Sequence, residues 1–381
     1  MTRDGNDDIV VGLLAPYGIY PTTSGGKKYI VLFSRYLREI FPVHMFTTSV
    51  VPNEQQVHPV LGESKLRYAN PMLFFTLKKI IEEKKITHLI IEHPYFAWLG
   101  WMLKNACGIS LIMQSHNIEA VRFKTLGKWW WRLLQTYEGW AHRQADQNFF
   151  ITEEDRQYAI NYYKLNPGKC HCVTYGTERE QAPSSAERLA ARQWLNAKYQ
   201  INDNEQVILF VGSLGYGPNT EAVEIICRSI NPLLNNAQNF DYKILICGSG
   251  LPESLSSLKE SANVIFTGFV KDIDLYFRGA DVFINPIISG GGIKTKLVEA
   301  LGNNLSSVTT RNGAVGIDAA ITKDKMIIVE DEDWENFAAQ IIQSKNESEI
   351  SSEFFQQFYW GNIAAKAAAV LREQEAYHKT L

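Results

Sequence analysis

The stretch VFINPIISGGGIKTKLVEAL, residues 282–301, decides how the second half of the chain folds. Its apolar start is typical of a buried parallel strand, and the pattern after Lys294 is that of a helix. The three glycines at 290–292 leave backbone N–H groups open where the helix begins. A helix N-terminus with unpaired donors is suited to an anion, and Lys294 and Lys296 add positive charge there. A flexible turn with solvated lysines is the simpler alternative.

The alternation of apolar strands and helices extends outward from this stretch in both directions. In the second half, further strands are predicted at 206–211, 243–247, 264–267, 306–309 and 326–329. In the first half, strands are predicted at 9–14, 43–47, 87–91, 110–114 and 147–151. Such alternation indicates parallel sheets covered by helices on both faces. The sequence therefore predicts an α/β protein with two doubly wound Rossmann-like domains that face each other across a cleft, where a ligand binds by default.

The domain boundary is predicted at residues 180–204, which are polar and contain no strong strand. We expect an N-terminal domain over 1–190, a C-terminal domain over 205–350 and a helical segment over 351–381. The aromatic start of that last segment indicates core packing. The pattern leaves open which domain receives it, and packing back on the N-terminal domain is one candidate.

The composition is that of an ordinary globular protein, because 45% of the 381 residues are hydrophobic and 21% are charged. The net charge of −3 is close to balance and excludes a polycation that coats nucleic acid. This charge is divided unevenly, with +6 over residues 1–200 and −9 over the remainder. The basic first half suggests an anionic surface or substrate on that side. The five cysteines form no CxxC pair, and no signal peptide or membrane span is recognised. We therefore expect a cytoplasmic protein that binds no nucleic acid.

A second glycine loop, residues 212–217, follows one of the predicted strands of the second half. Its glycines are spaced G-x-x-G-x-G, which matches neither the G-x-G-x-x-G dinucleotide fingerprint nor a G-x-x-x-x-G-K-[ST] phosphate loop. The loop still presents backbone donors at a helix start, so a phosphate site is favoured over a dehydrogenase cofactor site.

Candidate site residues of the first half follow its predicted strands. Gly25 and Gly26 come after the first strand and let the backbone approach a sugar or phosphate. His116 follows a later strand, at the carboxyl edge where α/β sheets bind ligands. His93 also follows a strand and is the weaker candidate. A plain turn and a surface histidine are the simpler alternatives.

The order of these motifs resembles the nucleotide-binding domain of the GT-B glycosyltransferases, specifically the large retaining family 4. In the second half the resemblance rests on VGSL at 211–214, ICGSG at 246–250, FTGFV at 266–270, GADVFINP at 279–286, GGGIKTKLVEA at 290–300 and GAVGI at 313–317. The first half agrees more loosely, through SGG at 24–26, QSHN at 114–117, Glu138, AD at 145–146 and FIT at 150–152. Together these segments cover nearly the whole chain.

The resemblance implies a donor site for a nucleoside-diphosphate sugar. Its binding residues would be Gly25, Gly26, Gly212, Ser213, Phe269, Val270, Gly290, Gly291, Gly292, Ile293, Lys294, Lys296 and Glu299. Glu299 would bind the ribose hydroxyls, and Lys296 with the glycine amides would neutralise the leaving diphosphate. His116 would orient the sugar, so His116, Lys296 and Glu299 are the expected catalytic residues.

One departure from the family pattern concerns its two glutamates, which lie eight positions apart. Glu299 matches the second glutamate, and the first would fall on Gly291. The contact of that first carboxylate with the transferred sugar is then absent, and backbone donors would replace it. The identity of the donor sugar is therefore left open.

Two acidic pairs look like metal-binding D-x-D motifs, namely Asp272 with Asp274 and Asp331 with Asp333. Aspartate at such places more often caps a helix. We expect no metal and no cofactor, because lysines and helix dipoles would meet the diphosphate charge.

The segment 121–140 interleaves basic and aromatic side chains. It contains Arg122, Phe123, Lys124, Lys128, Trp129, Trp130, Trp131, Arg132, Tyr137 and Trp140. A helix of this composition can rest on an anionic membrane surface. Packing in the core of the first domain, or along an acceptor cleft, is the alternative.

The resemblance implies a metal-independent, retaining glycosyltransferase of the hexosyltransferase type. It would move a sugar from a nucleoside-diphosphate donor to a glycan, lipid-linked or other acceptor, as in the biosynthesis of cell-surface polysaccharide or glycoconjugate. No carboxylate nucleophile is evident in the first half, which favours a same-face reaction within the donor complex. Two alternatives stay open: a sugar-nucleotide epimerase on the same fold, and a non-catalytic subunit that binds the nucleotide sugar.

Overall fold

The computed structural model describes residues 8–22, 24–50, 56–344 and 348–380. The chain forms two compact units. The first comprises Met1–Tyr175 together with Trp360–Leu381, and the second comprises Gly176–Tyr359. Each unit is built on a parallel β-sheet with helices, which confirms the predicted α/β class with two doubly wound domains.

The first unit contains a seven-stranded parallel sheet. Its strands are β1 (Val11–Leu14), β2 (Val43–Phe46), β3 (Val57–His58), β4 (His88–Glu92), β5 (Ser110–Ser115), β6 (Gln147–Phe150) and β7 (Cys170–Cys172). They lie in the order β3-β2-β1-β4-β5-β6-β7, so the sheet is extended in opposite directions from β1. The carboxyl ends of β1 and β4 therefore form the switch point at which such sheets bind ligands.

The helices of the first unit connect these strands. They are α1 (Gly25–Arg38), α2 (Met72–Lys84), α3 (Ala97–Cys107), α4 (Glu119–Thr125), α5 (Trp131–Gln144), α6 (Glu153–Tyr163) and, from the end of the chain, α15 (Trp360–Thr380). Short 3₁₀ turns lie at Lys65–Ala69, Pro94–Phe96 and Pro167–Lys169. The start of α1 is fixed by Ser24, whose hydroxyl accepts a hydrogen bond from the backbone N–H of Lys27. This cap places the N-terminus of α1 directly after the loop that follows β1.

The second unit contains a six-stranded parallel sheet in the order β10-β9-β8-β11-β12-β13. Its strands are β8 (Gln206–Val211), β9 (Tyr242–Cys247), β10 (Val264–Gly268), β11 (Val282–Asn285), β12 (Ser306–Thr310) and β13 (Met326–Val329). Its helices are α7 (Ser185–Tyr199), α8 (Gly217–Ile225), α9 (Asn231–Asn235), α10 (Ile273–Gly279), α11 (Thr295–Gly302), α12 (Ala319–Thr322), α13 (Trp334–Gln343) and α14 (Ser352–Phe358). A π-helical segment, Ile226–Ile230, joins α8 to α9, and 3₁₀ turns lie at Glu253–Glu260, Asn312–Ala314 and Lys323–Lys325.

Every strand predicted from the sequence is present within two residues of its expected bounds. In β1, β4 and β5 every residue of the strand is buried, as expected for parallel strands covered on both faces. The sequence does not predict β3 and β7, because strands of two and three residues with a histidine in each leave no apolar run to recognise.

The first unit ends earlier than the predicted boundary. The predicted linker forms α7, which belongs to the second unit and begins with a capping box between Ser184 and Glu187. A Cβ added to Gly279 would lie 2.7 Å from the carbonyl oxygen of Ala191, so glycine is what lets α10 pack against α7. Such close contact makes α7 part of the second unit and not a spacer.

The predicted helical segment at 351–381 is divided between the units, because α14 belongs to the second and α15 to the first. Trp360, at the start of α15, is fully buried, and its ring centroid lies 5.3 Å from that of Tyr29 in α1. This last helix therefore completes the first unit. In the part of the chain that the structure describes, no helix is both long and apolar enough to cross a bilayer.

Candidate functional site

The glycine loop, residues 290–293, connects β11 to α11 in the second unit. Gly290 and Gly292 have φ values of 81° and 73°, a backbone conformation that favours glycine. The ammonium group of Lys294 donates to the carbonyl oxygens of Gly290 at 3.2 Å and Gly292 at 3.0 Å. The loop carbonyls are thus directed to a lysine, whereas no described residue accepts a hydrogen bond from the N–H groups of 290–293. This arrangement is suited to binding an anion through the backbone.

Lys294 lies at this loop as the sequence predicts, but its ammonium group supports the loop from within. Burial lowers the pKa of Lys294 to about 8. Asn312 also contacts this loop, since its side-chain amide donates to the carbonyl oxygen of Gly290 at 3.4 Å and to that of Ile287, just before the loop, at 3.2 Å. The two side chains fix the loop so that its N–H groups keep one orientation.

The first turns of α11 carry Lys296 and Glu299, which the spacing of three residues places on one side of the helix. Nζ of Lys296 lies 2.8 Å from Oε2 of Glu299. The Glu299 side chain is only 6% exposed, whereas that of Lys296 is 32% exposed. Glu299 is therefore a buried carboxylate whose lysine partner reaches toward solvent.

The loops after β8 and β9 and the end of β10 lie at the same edge of this sheet as the glycine loop, because these strands run parallel to β11. The backbone N–H of Gly248 donates to the carbonyl oxygen of Gly268 at 2.9 Å. A Cβ added to Gly248 would lie 1.8 Å from the carbonyl oxygen of Gly212, so the loops after β8 and β9 meet only because residue 248 is glycine. These contacts bring Gly212 and the end of β10 together at the carboxyl edge.

Ser213, Phe269 and Val270 extend from these joined loops. Ser213 is exposed and Val270 is half-buried. Phe269 is 80% exposed, which is unusual for a large apolar side chain and leaves its ring open to a partner.

A cavity of about 750 Å³ also lies in the second unit. Its lining includes the carboxylates of Glu221, Glu224 and Glu332 together with Trp334. Three acidic side chains would repel a diphosphate, so this cavity is not a candidate for one.

In the first unit, a buried polar cluster lies at the carboxyl ends of β4 and β5. Oε2 of Glu92 lies 2.6 Å from Nε2 of His116. Nδ1 of His93 lies 3.1 Å from Oε1 of Glu119, and the rings of His93 and His116 have centroids 4.3 Å apart. All four side chains are buried, so their protonation states depend on one another and not on solvent.

Two tyrosines extend this cluster. The hydroxyl of Tyr17 lies 3.0 Å from Nε2 of His93, and the hydroxyl of Tyr95 donates to Oε2 of Glu119 at 2.9 Å. His93 has a φ of 64° and a ψ of 157°, a conformation outside the common regions for a residue with a Cβ, and strained residues of this kind cluster at functional sites.

The pKa values of the cluster diverge because burial acts differently on acids and bases. Burial raises the pKa of Glu92 to about 8 and lowers the pKa of His116 to about 4. Burial alone would raise the pKa of Glu119 as well. The hydrogen bond from His93 and the positive charge of Arg122 outweigh burial, so the pKa of Glu119 is lowered to about 2. At neutral pH the Glu92–His116 pair is therefore neutral, with the carboxyl group donating to Nε2 and the proton of the imidazole on Nδ1.

Gly25 and Gly26, the first residues of α1, lie beside this cluster. A Cβ added to Gly26 would lie 3.3 Å from the hydroxyl of Tyr17 and 3.5 Å from Nδ1 of His116. The backbone at the start of α1 thus borders the nitrogen that carries the imidazole proton.

The site residues predicted from the sequence fall into two groups. Gly25, Gly26 and His116 lie together in the first unit, and the others lie in the second unit on the loops after β8, β10 and β11 and at the start of α11. Sequence reasoning missed Glu92, Tyr17 and Glu119. One signal points to Glu92, which is an acidic residue ending the apolar strand β4.

Gln114 strengthens the case for a polar site at this edge. It pairs in register with Glu92 on the neighbouring strand, so the two side chains project from the same face of the sheet. Oε1 of Glu92 and both polar atoms of the Gln114 side chain are buried without a hydrogen-bond partner among the described residues. Unsatisfied buried polar atoms of this kind are rare in folded proteins and mark this edge of the sheet as a candidate functional position.

The acidic pairs that look like D-x-D motifs cap helices or brace a loop. Asp272 accepts a hydrogen bond from the N–H of Leu275 at the start of α10, and Asp333 caps α13 in the same way. Asp331 accepts from the N–H of Asn312 at 3.0 Å. Within the described ranges, no group of three or more His, Cys, Asp or Glu side chains could hold a metal ion.

Two family models match the chain, one in each half. The model described as glycosyltransferase family 4 matches residues 23–181, and the model described as glycosyl transferases group 1 matches residues 205–346. Together the two matches span most of the sequence.

Curated relatives match part of the chain. An uncharacterized 44.6 kDa protein in the cps region of Klebsiella pneumoniae is 28% identical over 160 residues, which is 40% of this chain and 40% of that protein. The D-inositol 3-phosphate glycosyltransferase of Corynebacterium glutamicum is 23% identical over 206 residues, or 50% of this chain and 46% of that enzyme. The matches thus span less than half the length of these relatives.

Solved structures match nearly the whole chain in fold. Sucrose-phosphate synthase of Thermosynechococcus elongatus gives a TM-score of 0.70 at 15% identity and covers 97% of this chain and 100% of its own. HepE of Anabaena, solved in complex with UDP-glucose, gives a TM-score of 0.71 at 14% identity. This match covers 96% of this chain and 100% of the HepE chain. The fold is that of GT-B glycosyltransferase structures, and the two halves of the chain are similar to glycosyltransferase family 4 and to glycosyl transferases group 1, respectively.

Proposed function

We propose that the protein is a retaining hexosyltransferase that uses a nucleoside-diphosphate sugar as donor and needs no metal ion. The observation that carries this proposal is the glycine loop of residues 290–293. Its N–H groups are unclaimed by the described residues, its carbonyls are held by Lys294, and the N-terminus of α11 follows directly. A diphosphate carries the charge and the multiple acceptor oxygens that such a loop binds.

In the second unit, binding of the donor would exchange the partner of Lys296. The ammonium group, now paired with Glu299, would move to the diphosphate oxygens and neutralise the charge that grows as the sugar leaves. Glu299 would then accept hydrogen bonds from the ribose hydroxyls. The exposed ring of Phe269 offers a face on which the base can stack.

In the first unit, His116 would hold the sugar. Its Nδ1–H, fixed by the carboxyl group of Glu92 on the other nitrogen, would donate to a sugar hydroxyl beside the Gly26 backbone. No carboxylate is available there as a nucleophile, since Glu92 is bound to His116 and Glu119 to His93. The acceptor hydroxyl would therefore attack the anomeric carbon from the face that the diphosphate leaves, the C–O bond to phosphate would break, and the hydroxyl proton would pass to the phosphate oxygen.

The relatives support the donor class. HepE was solved with UDP and with UDP-glucose, and two curated relatives are D-inositol 3-phosphate glycosyltransferases. A nucleotide sugar for this chain is therefore the ligand to test first, with the acceptor being a glycan, a lipid-linked sugar or another hydroxyl compound.

A thermal-shift panel of UDP-, GDP-, ADP- and dTDP-sugars tests the proposal. A ligand at 100 times its Kd adds about 2.7 kcal/mol of stability, which is a clear rise in Tm. We expect one nucleotide series to stabilise the protein, the corresponding monophosphate to do so far less, and EDTA to change neither binding nor turnover. Stabilisation by none of them, or activity that EDTA abolishes and Mg²⁺ or Mn²⁺ restores, would contradict the proposal.

NMR of the glycosidic product tests the stereochemistry separately, because a retained anomeric configuration is expected. Turnover of the nucleotide sugar without any acceptor would instead indicate the epimerase. Binding without turnover on any acceptor would indicate a non-catalytic subunit.

A further inference from the structure

The segment 121–140 is not a single helix. It consists of the end of α4, a turn at 126–130 and most of α5, and the turn contains Gly127 with a φ of 67°. The two helices form a hairpin whose end, residues 121–133, we call the basic tip. The basic tip belongs to the first unit, whereas the glycine loop belongs to the second.

The basic tip exposes large apolar side chains. Trp129 is 83% exposed, the highest value for any large apolar side chain that the structure describes, and Leu133 is 68% exposed. Leu126 is 56% exposed and Val121 38% exposed. Four such side chains on one short hairpin do not belong to a core and need a partner that removes them from water.

The charge of the basic tip is of one sign. No aspartate or glutamate occurs between residues 120 and 137, and the flanking Glu119 and Glu138 are both fully buried. The ammonium group of Lys124 and the guanidinium group of Arg132 lie 5.0 and 5.3 Å from the ring centroid of Trp131. Cations held over an indole in this way keep their charge at the surface and surround the apolar side chains with it.

The basic tip is held in place by a buried carboxylate. Glu138 accepts hydrogen bonds from the backbone N–H groups of Glu119 at 2.9 Å and Ala120 at 3.0 Å, and from the hydroxyl of Tyr163 at 2.8 Å. It thereby fixes the start of α4 against α5. The exposed side chains are presented on a rigid support, so little conformational freedom is lost on docking.

A second apolar surface of the same unit differs in charge. Phe75 on α2 is 63% exposed, but the neighbouring Lys78 and Lys79 each form an ion pair with a glutamate one turn later. Those lysines are therefore balanced, whereas at the basic tip Arg122 pairs with the buried Glu119 while no described acidic side chain pairs with Lys124, Lys128 or Arg132. The tip thus combines exposed tryptophan and leucine with net positive charge, which the α2 surface does not.

We propose that the basic tip docks the protein on the surface of an anionic lipid bilayer. Tryptophan and leucine would enter the headgroup region while Lys124, Lys128 and Arg132 meet the lipid phosphates. A second copy of the chain is a poor occupant, because two basic tips repel each other. An ordinary protein partner is also disfavoured, because the core of a protein interface is depleted of charge, whereas here charged and apolar side chains alternate. The inference does not depend on the proposed function.

Flotation with vesicles tests the proposal on the whole chain. We expect binding to vesicles of phosphatidylcholine with 30 mol% phosphatidylglycerol, weaker binding as salt is raised, and little binding to phosphatidylcholine alone. Each basic residue near such a surface contributes about fivefold to partitioning, so the double variant K124E/K128E should bind at least about 25-fold less. The variant L133S should bind about tenfold less, because a leucine no longer leaves water.

Matched controls come from the second unit, where Leu189 is 59% exposed and Lys259 is exposed. L189S and K259E should bind vesicles as the wild type does. Equal binding to neutral and anionic vesicles, no binding at low salt, or the same loss in the control variants would overturn the proposal. Circular dichroism and the Tm of each variant establish that it is folded, so a loss of binding reports the surface alone.

Discussion

The candidate sites of the two units are built in opposite ways. The site in the second unit consists of backbone N–H groups, glycines and one ion pair between Lys296 and Glu299. The site in the first unit consists of buried side chains, and burial keeps its Glu92–His116 pair neutral. A backbone loop beside the partly exposed Lys296 suits a ligand of high charge, whereas a neutral imidazole with a fixed proton suits a sugar hydroxyl. The difference teaches that the two units offer different binding chemistry, one for a charged group and one for a neutral hydroxyl.

The largest effect on activity is expected at Lys296 of the second unit. Lys296→Ala should lower kcat/KM by roughly 10²–10³-fold, because the variant loses the charge that stabilises the leaving diphosphate. Lys259→Ala, at an exposed lysine of the same unit, is the control and should change little. Steady-state kinetics with the donor identified by thermal shift measures both. An unchanged kcat/KM in Lys296→Ala would remove this residue from the site and leave the second unit without its cation.

The next effect concerns the neutral pair of the first unit. Because Glu92 has a pKa of about 8, it is protonated below that pH and donates to Nε2 of His116. Above that pH the carboxylate accepts a hydrogen bond from Nε2, the single imidazole proton moves from Nδ1 to Nε2, and Nδ1 no longer donates. Activity should therefore fall about tenfold per pH unit above pH 8. Glu92→Gln cannot ionise, so its activity should resemble wild type at pH 7 and fall less than wild type up to pH 9, the remaining decline being that of Lys294, whose pKa is also about 8.

Replacing Glu92 by alanine tests whether its side chain positions the His116 ring or is only buried beside it. Glu92→Ala should lose activity at every pH, because the hydrogen bond that sets the tautomer of His116 is then lost, while KM for the donor changes less than kcat. If Glu92→Gln keeps the alkaline loss of the wild type, the titrating group is not Glu92 and the comparison between the sites fails at this point.

The smallest expected effect is on stability, and it differs between the neighbouring glycines Gly290 and Gly291. Gly290→Ala should lower the free energy of unfolding by about 1–2 kcal/mol, because its φ is 81° and a Cβ would lie 3.2 Å from Cγ of Pro218. At Gly291 no atom lies within 4 Å of an added Cβ, so Gly291→Ala should stay within about 0.5 kcal/mol of wild type. Urea unfolding measures both. Equal losses would mean that the loop is not held in the conformation described.

Much of the fold is readable from local sequence. Apolar runs predict the long strands because strands covered on both faces need apolar side chains throughout. The assignment of α7 and α15 is not readable, since it depends on contacts such as Gly279 with Ala191 and Trp360 with Tyr29 between distant parts of the chain. The break at Gly127 is also hidden, because one glycine between two helical patterns costs little and gives a weak signal.

The candidate site divides in the same way. The glycine loop is predicted from sequence because its function resides in the backbone and in consecutive glycines. The cluster around Glu92 is not, because its partners Tyr17, His116 and Glu119 come from different strand ends and meet only in the folded sheet. The inward orientation of Lys294 likewise depends on the loop conformation and not on its composition.

The central claim is that α11 and its glycine loop bind the nucleotide, with Glu299 on the ribose. Calorimetry of the nucleoside diphosphate selected by thermal shift, and of its 2′,3′-dideoxy form, on wild type and on Glu299→Gln tests it most directly. Hydrogen bonds to a charged group contribute about 1.5–3 kcal/mol each, so loss of the hydroxyls should weaken wild-type binding by tenfold to a hundredfold or more. In Glu299→Gln that difference should largely disappear. The same loss in both proteins, or none in either, would show that Glu299 does not touch the ribose and would contradict the assignment of the nucleotide to this site.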